Sequence, residues 1–262
     1  MANKRSITNK KNIDINDDLA FKSNTLNNIE STKSTIKSFL KNNLKVQSKN
    51  ESQKKLINSI NRNQITISAG PAGTGKTYVA LATALNLLMN GDNKFDKIYL
   101  VKSVTTLKGE EVGFIKGDLM EKFEPTMLSY YINLEKLISK STLRVLIEKE
   151  VLIPLPLAFI KGTSLDNCII IADEMQNITL DNSRTLLTRI GYNAKMILLG
   201  DVNQIDIARK RESSLGTLIN IFDEVEDIGV IRMSEEDTNV RNPIIKSIEL
   251  KYKEFYENNN TK

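Results

Sequence analysis

Gly70-Pro71-Ala72-Gly73-Thr74-Gly75-Lys76-Thr77 spells G-x-x-x-x-G-K-[ST] in a chain of 262 residues. Glycines at these places permit a loop whose backbone N–H groups turn inward around a phosphate. A lysine at this spacing reaches the β- and γ-phosphates, and the hydroxyl after it can ligate Mg²⁺. The octapeptide lies between a β-branched run, Ile65–Ala69, and an apolar-rich stretch, Lys76–Asn90. A strand before the loop and a helix after it are the context this motif requires, and the helix N-terminus adds its dipole. That is the chemistry of a nucleoside-triphosphate site.

Such a loop needs an acid on a neighbouring strand to hold hydrated magnesium. The apolar run Cys168–Ala172 leads directly into Asp173-Glu174. Asp173 would orient the metal and its waters, and Glu174 would polarise the attacking water as general base. The same pair could instead be a solvated turn, but the upstream phosphate loop favours the metal reading. Lys195–Leu199 reads as another strand, ending in Gly200-Asp201-Val202-Asn203-Gln204. Gln204 can address a γ-phosphate and a water together, through its carbonyl and its NH₂, or be a loop glutamine. Gln53, in the polar stretch SKNESQKK, could read adenine's N6 and N7 edge or sit at the surface. Asn93-Lys94-Phe95-Asp96 imitates the guanine-reading N-K-x-D. It follows the loop too closely to reach a base.

Further strands are predicted at Lys97–Val101, Val151–Leu155 and Ile228–Ile231, with helices over 117–149, Leu180–Ile190, Ser214–Phe222 and Pro243–Tyr256. Strands alternating with helices imply an α/β fold with a parallel sheet covered by helices on both faces. The continuous apolar run Cys168–Ala172 suits a strand buried on both sides.

Composition narrows the chemistry. No histidine is present, which removes Ser-His-Asp and Cys-His catalysis, and the single Cys168 cannot form an intrachain disulfide. One thiol and no membrane-span-length apolar run suit a soluble, cytoplasmic protein. The net charge of +5 divides unevenly: residues 1–50 carry ten Lys/Arg against four Asp/Glu, so the remainder is slightly negative. The expected organisation is a weakly ordered basic leader over 1–47, one domain over 48–256 and a frayed tail over 257–262. A helix could form around Ile29–Leu44 within the leader. That leader is a solvated tail or an arm for nucleic acid or a partner subunit. Aromatic residues make up only 6%, too sparse for a base-stacking platform, and Tyr130-Tyr131 reads as core or interface.

The order of motifs resembles the PhoH-like family of P-loop ATPases: GPAGTGKTYVA, GEEVGFIKGDLMEKFEP, PLAFIKGTSL, IIIADEMQNIT and LLTRIGYNAKMILLGDVNQID, over roughly 48–252. The DE-x-Q and GD-x-x-Q elements are shared with superfamily 1 helicases; GFIKGDL and TRIG are the segments that single out this family. The resemblance implies a P-loop NTPase with a RecA-like core, ATP and Mg²⁺ as ligands, and an oligomeric ring. It also implies a link to RNA or single-stranded DNA. By the same resemblance Gln176 joins the nucleotide site and Gln53 gains weight as an adenine contact. The family's Arg-Pro after the second strand is Lys102-Ser103 here, its R-G-R-T is Lys161-Gly162-Thr163-Ser164, and its D-V-V-R is lengthened to Asp237-Thr-Asn-Val-Arg241.

Hydrolysis by P-loop rings often draws on an arginine that stabilises charge on the γ-phosphoryl group. Arg189, at the end of a predicted helix just before Gly191, could point at a neighbouring subunit's nucleotide, and Arg241 is the other candidate; either could instead be an ordinary surface or helix-terminal charge. Three readings follow: an ATPase acting on nucleic acid, a slow nucleotide-dependent assembly module, and a small-molecule kinase. The last lacks any recognisable lid or acceptor site.

Overall fold

A computed structural model describes residues 46–90, 95–103, 123–207 and 209–238, with isolated positions 244, 247–248, 251–252 and 254–255 beyond them. The leader, the helix expected around 29–44, the tail and all of GEEVGFIKGDL lie outside the described residues, as do Asn93, Lys94 and Arg241. Most of the expected closing helix, Pro243–Tyr256, lies outside them too.

Six strands form one parallel sheet: β1 (Ile65–Ala69), β2 (Lys97–Lys102), β3 (Leu152–Pro156), β4 (Cys168–Ala172), β5 (Lys195–Gly200) and β6 (Ile228–Arg232). Their spatial order is β3-β2-β4-β5-β1-β6. Helices α1 (Glu51–Arg62), α2 (Lys76–Asn90), α3 (Leu128–Leu134), α4 (Lys140–Glu148), α5 (Leu180–Leu187) and α6 (Ser214–Ile221) complete the layers.

The side-chain period of two sorts every strand between two cores. In β4, Ile169 and Ile171 face the core under α1 to α4, while Cys168, Ile170 and Ala172 face the core under α5 and α6. All five β4 residues are buried, which explains the unbroken apolar run. Burial pushes the Cys168 thiol up to about 12, against a smaller opposing pull from Lys97. It is a packing residue.

Several expected boundaries moved by a residue or more, two of them for a clear tertiary reason. Strand β3 includes Pro154 and Pro156, which is tolerable because β3 is an edge strand that, among the described residues, pairs with β2 alone. Helix α5 ends at Leu187, three residues before the expected Ile190. There Leu165 N–H donates to Arg189 O, and Leu165 bridges Ile190, which draws the chain out of the helix.

Helix α1 is an element the polar composition of its stretch concealed. Its signal was present nonetheless: Asn50 caps it by accepting from Gln53 N–H at 2.8 Å, and Leu56 and Ile60 bury one face. An Asn cap with Gln three residues later has the spacing of a capping box. Here the Gln53 carbonyl accepts from Lys49 N–H, one residue before the cap.

Candidate nucleotide site

The parallel order gathers the phosphate loop after β1, the carboxylates after β4 and Gln204 after β5 at one end of the sheet. A cleft of about 420 Å³ opens there, walled by Ala72, Gly73, Gly75, Lys76, Thr77, Asp173, Glu174 and Gln204. Gly73 and Gly75 adopt φ of 89° and 84°, the left-handed backbone the loop requires. A Cβ at Gly75 would come within 2.8 Å of Gln53 Nε2.

Lys76 Nζ donates to Gly70 O (2.6 Å), Pro71 O (2.8 Å) and Thr74 Oγ1 (3.3 Å). Phosphate oxygens would have to replace some of these acceptors. Gly70, Pro71 and Thr74 thus support the loop from behind. Thr74, fully buried, also donates its hydroxyl to Pro71 O.

Thr77 Oγ1 donates to Asp173 Oδ2 at 2.9 Å, tying the start of α2 to the end of β4. The donor set suits Mg²⁺: both are hard oxygens, and ~2.9 Å is close to the edge of an octahedron with bonds of about 2.1 Å. Asp173 is buried, and that burial, with the neighbouring Glu174 carboxylate, raises its pKa. Lys102 at the end of β2, the Thr77 hydroxyl and the Glu174 N–H pull it the other way.

Glu174 has φ 60°, a left-handed conformation uncommon for a residue with a side chain. Such strain persists only where surrounding contacts over-determine it. Glu174 N–H donates to Asp173 Oδ1 (3.0 Å), and Gln176 Nε2 donates to Glu174 Oε2 (2.6 Å). Gln176 Oε1 in turn accepts from Asp201 N–H at 3.0 Å. Gln176 therefore reaches the site through Glu174, clamping that carboxylate to the end of β5 from a buried position.

Gly200 makes that clamp possible. A Cβ there would stand 2.5 Å from Gln176 Oε1 and 2.7 Å from Leu215 Cδ2. Gly200→Ala should cost roughly 1–3 kcal/mol through overpacking. It should also slow turnover, because the clamp holds the Glu174 carboxylate, and loosen the loop, because Gly70 N–H donates to Gly200 O at 3.1 Å. Denaturant unfolding and steady-state kinetics on the same preparation check both parts.

Gln53 lines the cleft while its amide is engaged twice: Nε2 donates to Thr74 O (2.8 Å) and Oε1 accepts from Lys49 N–H. One N–H and one carbonyl lone pair remain. It first braces the phosphate loop against α1. Gln204, exposed, lines the cleft. Arg189 does not: it lies beyond the N-terminal ends of β4 and β5, opposite the loop, donating to Thr163 O and Thr188 Oγ1. No arginine among the described residues lines the cleft.

The sequence reading missed Gln47, Lys49 and Tyr78, and also Asn133 and Lys136, brought to the cleft by α3 and the turn after it. Nothing in local spacing pointed to them. Tyr130 is the anchor that positions α3: fully buried, its hydroxyl sits 3.1 Å from Val101 O and 3.0 Å from Ile171 O. Lys102 Nζ adds a bond to Ser129 Oγ (2.7 Å) and lies 5.4 Å from the Tyr130 ring centroid.

Among known proteins, the family described as PhoH-like protein matches residues 45–253. The PhoH-like protein of Bacillus subtilis (strain 168) is 34% identical over 203 residues, covering 78% of this chain and 62% of its own length. Protein PhoH of Escherichia coli (strain K12) is 31% identical over 194 residues, covering 73% of this chain and 54% of its own. The chain thus spans less than two-thirds of the length of these curated relatives.

Among solved structures, the large terminase from a thermophilic bacteriophage in complex with ADP is similar at TM-score 0.45 and 11% identity, covering 76% of this chain and 48% of that one. Bacteroides sp Pif1 in complex with ADP-AlF4 gives TM-score 0.33 and 15% identity, covering 75% and 44%. Both scores are below 0.5, so the fold rests on the sheet and loop themselves. With the family match spanning the described sheet and the phosphate loop, carboxylates and Gln204 converging on one cleft at the C-terminal ends of β1, β4 and β5, the chain belongs to the PhoH-like protein family.

Proposed function

We propose that this chain binds ATP with Mg²⁺ in the cleft and hydrolyses it to ADP and phosphate, and that an oligomeric ring in the cytoplasm couples this to action on RNA or single-stranded DNA. The observation that carries the ATPase reading is the 2.9 Å Thr77–Asp173 bond with Glu174 alongside, facing the phosphate loop across one cleft. The loop N–H groups and Lys76 hold the phosphates. Thr77 and Asp173 hold the metal, which supplies charge neutralisation at the phosphates. Glu174, fixed by Gln176, accepts the proton of the attacking water, and Gln204 orients that water.

The ring and the nucleic-acid link rest on the family resemblance and its helicase-like DE-x-Q and GD-x-x-Q elements. No helix among the described residues is long and apolar enough to cross a membrane. A second reading, a slow nucleotide-dependent assembly module, is favoured by a cleft that no arginine among the described residues lines. Steady-state hydrolysis across protein concentrations, with and without single-stranded RNA, separates the two. Turnover per chain that rises with concentration and with RNA is the result expected of the ring. Slow turnover indifferent to RNA is that of the module. Lys76→Ala should weaken ATP binding by at least about tenfold in either case, by loss of charge-assisted hydrogen bonds.

A further inference from the structure

The cleft is walled from two sides by different parts of the fold. Gln47, Lys49 and Gln53 enter at the α1 end, and α1 packs on β1, β6 and α2. Asn133 and Lys136 enter from the opposite side, carried by α3, which Tyr130 fastens to the ends of β2 and β4. Asp173 and Glu174 follow directly on β4, and Tyr130 bonds Ile171 O near that strand's end, so α3 stands on the side of the two carboxylates assigned above to the metal and the attacking water.

A triphosphate brings about four negative charges at neutral pH, and the cleft contributes the acids Asp173, Glu174 and Asp201 besides. Among the described residues its cations are Lys49, Lys76 and Lys136. Lys76 is committed to the loop, and Lys49 stands at the far end, next to Gln53 in the chain fold. Lys136 is exposed and has no acidic partner among the described residues; its neighbour Glu135 pairs with Lys140 at 3.6 Å. Its backbone is held by a bond to Asn133 O, and Asn133 by a side-chain bond to Ser129 O at 2.8 Å. A lysine delivered to a cleft by an anchored helix, with its charge unspent, is placed to act on an anion.

Resting on the ATP-site reading above, we infer that Lys136 is a second phosphate-contacting cation, supplied within the subunit to the terminal phosphoryl of the nucleoside triphosphate. Asn133 flanks it as a neutral hydrogen-bonding group. The charge that a neighbouring subunit's arginine would otherwise bring is then present, at least in part, in each chain.

The test uses the full chain with Lys136→Met, Lys136→Arg and, as a control off the cleft, Lys140→Met. Affinities for Mg²⁺-ATP and Mg²⁺-ADP are measured by competition with a fluorescent nucleotide. Lys136→Met is expected to weaken ATP roughly tenfold and ADP less than about twofold, the scale of one partly exposed charge-assisted contact. Lys136→Arg should stay within about threefold of wild type for ATP, since a cation of similar reach remains, and Lys140→Met should change neither. Equal affinities for wild type and Lys136→Met overturn the inference alone. So does an equal loss for ATP and ADP, which would put the lysine away from the terminal phosphoryl. A wild-type chain that binds neither nucleotide overturns the ATP-site reading and this inference together.

Discussion

Glu174→Gln should bind Mg²⁺-ATP as tightly as wild type and hydrolyse it roughly 10²–10⁴-fold more slowly, the range a positioned general base contributes. The substitution removes the proton acceptor and little else. Gln176 Nε2 can still donate to the new amide oxygen, and the Glu174 N–H bond to Asp173 is a backbone contact that survives. The left-handed φ of 60° is no harder for Gln than for Glu, so folding should be unaffected. Single-turnover hydrolysis beside a binding isotherm checks both halves. Wild-type turnover in the variant would remove Glu174 from the role of base and leave the phosphate loop as a binding device.

Asp173→Asn should abolish Mg²⁺-dependent turnover and at the same time stabilise the nucleotide-free protein. Loss of a metal-holding carboxylate removes several kcal/mol of transition-state stabilisation, at least about 100-fold in rate. The stability gain follows from the environment of the carboxylate. Burial, then the adjacent Glu174, raises the pKa of Asp173 above the ordinary 3.8. The folded state therefore holds this proton more tightly than the unfolded state does, and stability falls as pH rises between the ordinary and the raised values. Below the ordinary value the two proteins should melt alike. Above the raised value the Asn variant should melt higher by a few degrees, about 2–4 °C per kcal/mol for a chain of this size. The Thr77 hydroxyl can reverse and accept from the new amide, so the tie between α2 and β4 is kept. Thermal unfolding of both proteins from pH 4 to 8 without magnesium is the measurement. A variant that melts lower at neutral pH would mean that the pair is held together by its charge. Adding magnesium should narrow the gap by stabilising wild type alone.

These two effects arise from adjacent residues whose proposed roles come from a pattern in the chain itself. A phosphate loop and a strand ending in two acids are local patterns: each is written in fewer than a dozen consecutive residues, and each carries its chemistry wherever the fold puts it. The parallel sheet was legible for a similar reason, since β-branched runs alternating with apolar helical stretches leave few alternatives. Five consecutive buried residues in β4 express the same rule in packing.

The rest depended on contacts distant in sequence. Gln53 read as an adenine contact, yet its amide braces Thr74, 21 residues away, a bond that exists only because α1 lies against α2. Gln176 was expected among the nucleotide contacts and instead fixes Glu174 to Asp201, because Gly200 leaves room for its carbonyl. Arg189 looked available from its place at a helix end, but the edge on which that end falls is decided by strand direction. It falls on the wrong one for its own subunit's cleft. Asn133 and Lys136 had no motif at all: a buried tyrosine bonded to two strand ends swings α3 over the site. The sequence by itself determined the nucleotide chemistry and the sheet, because short-range pattern encodes both. Only the tertiary structure decided which side chains share the cleft, because long-range packing of helices on strand ends does so.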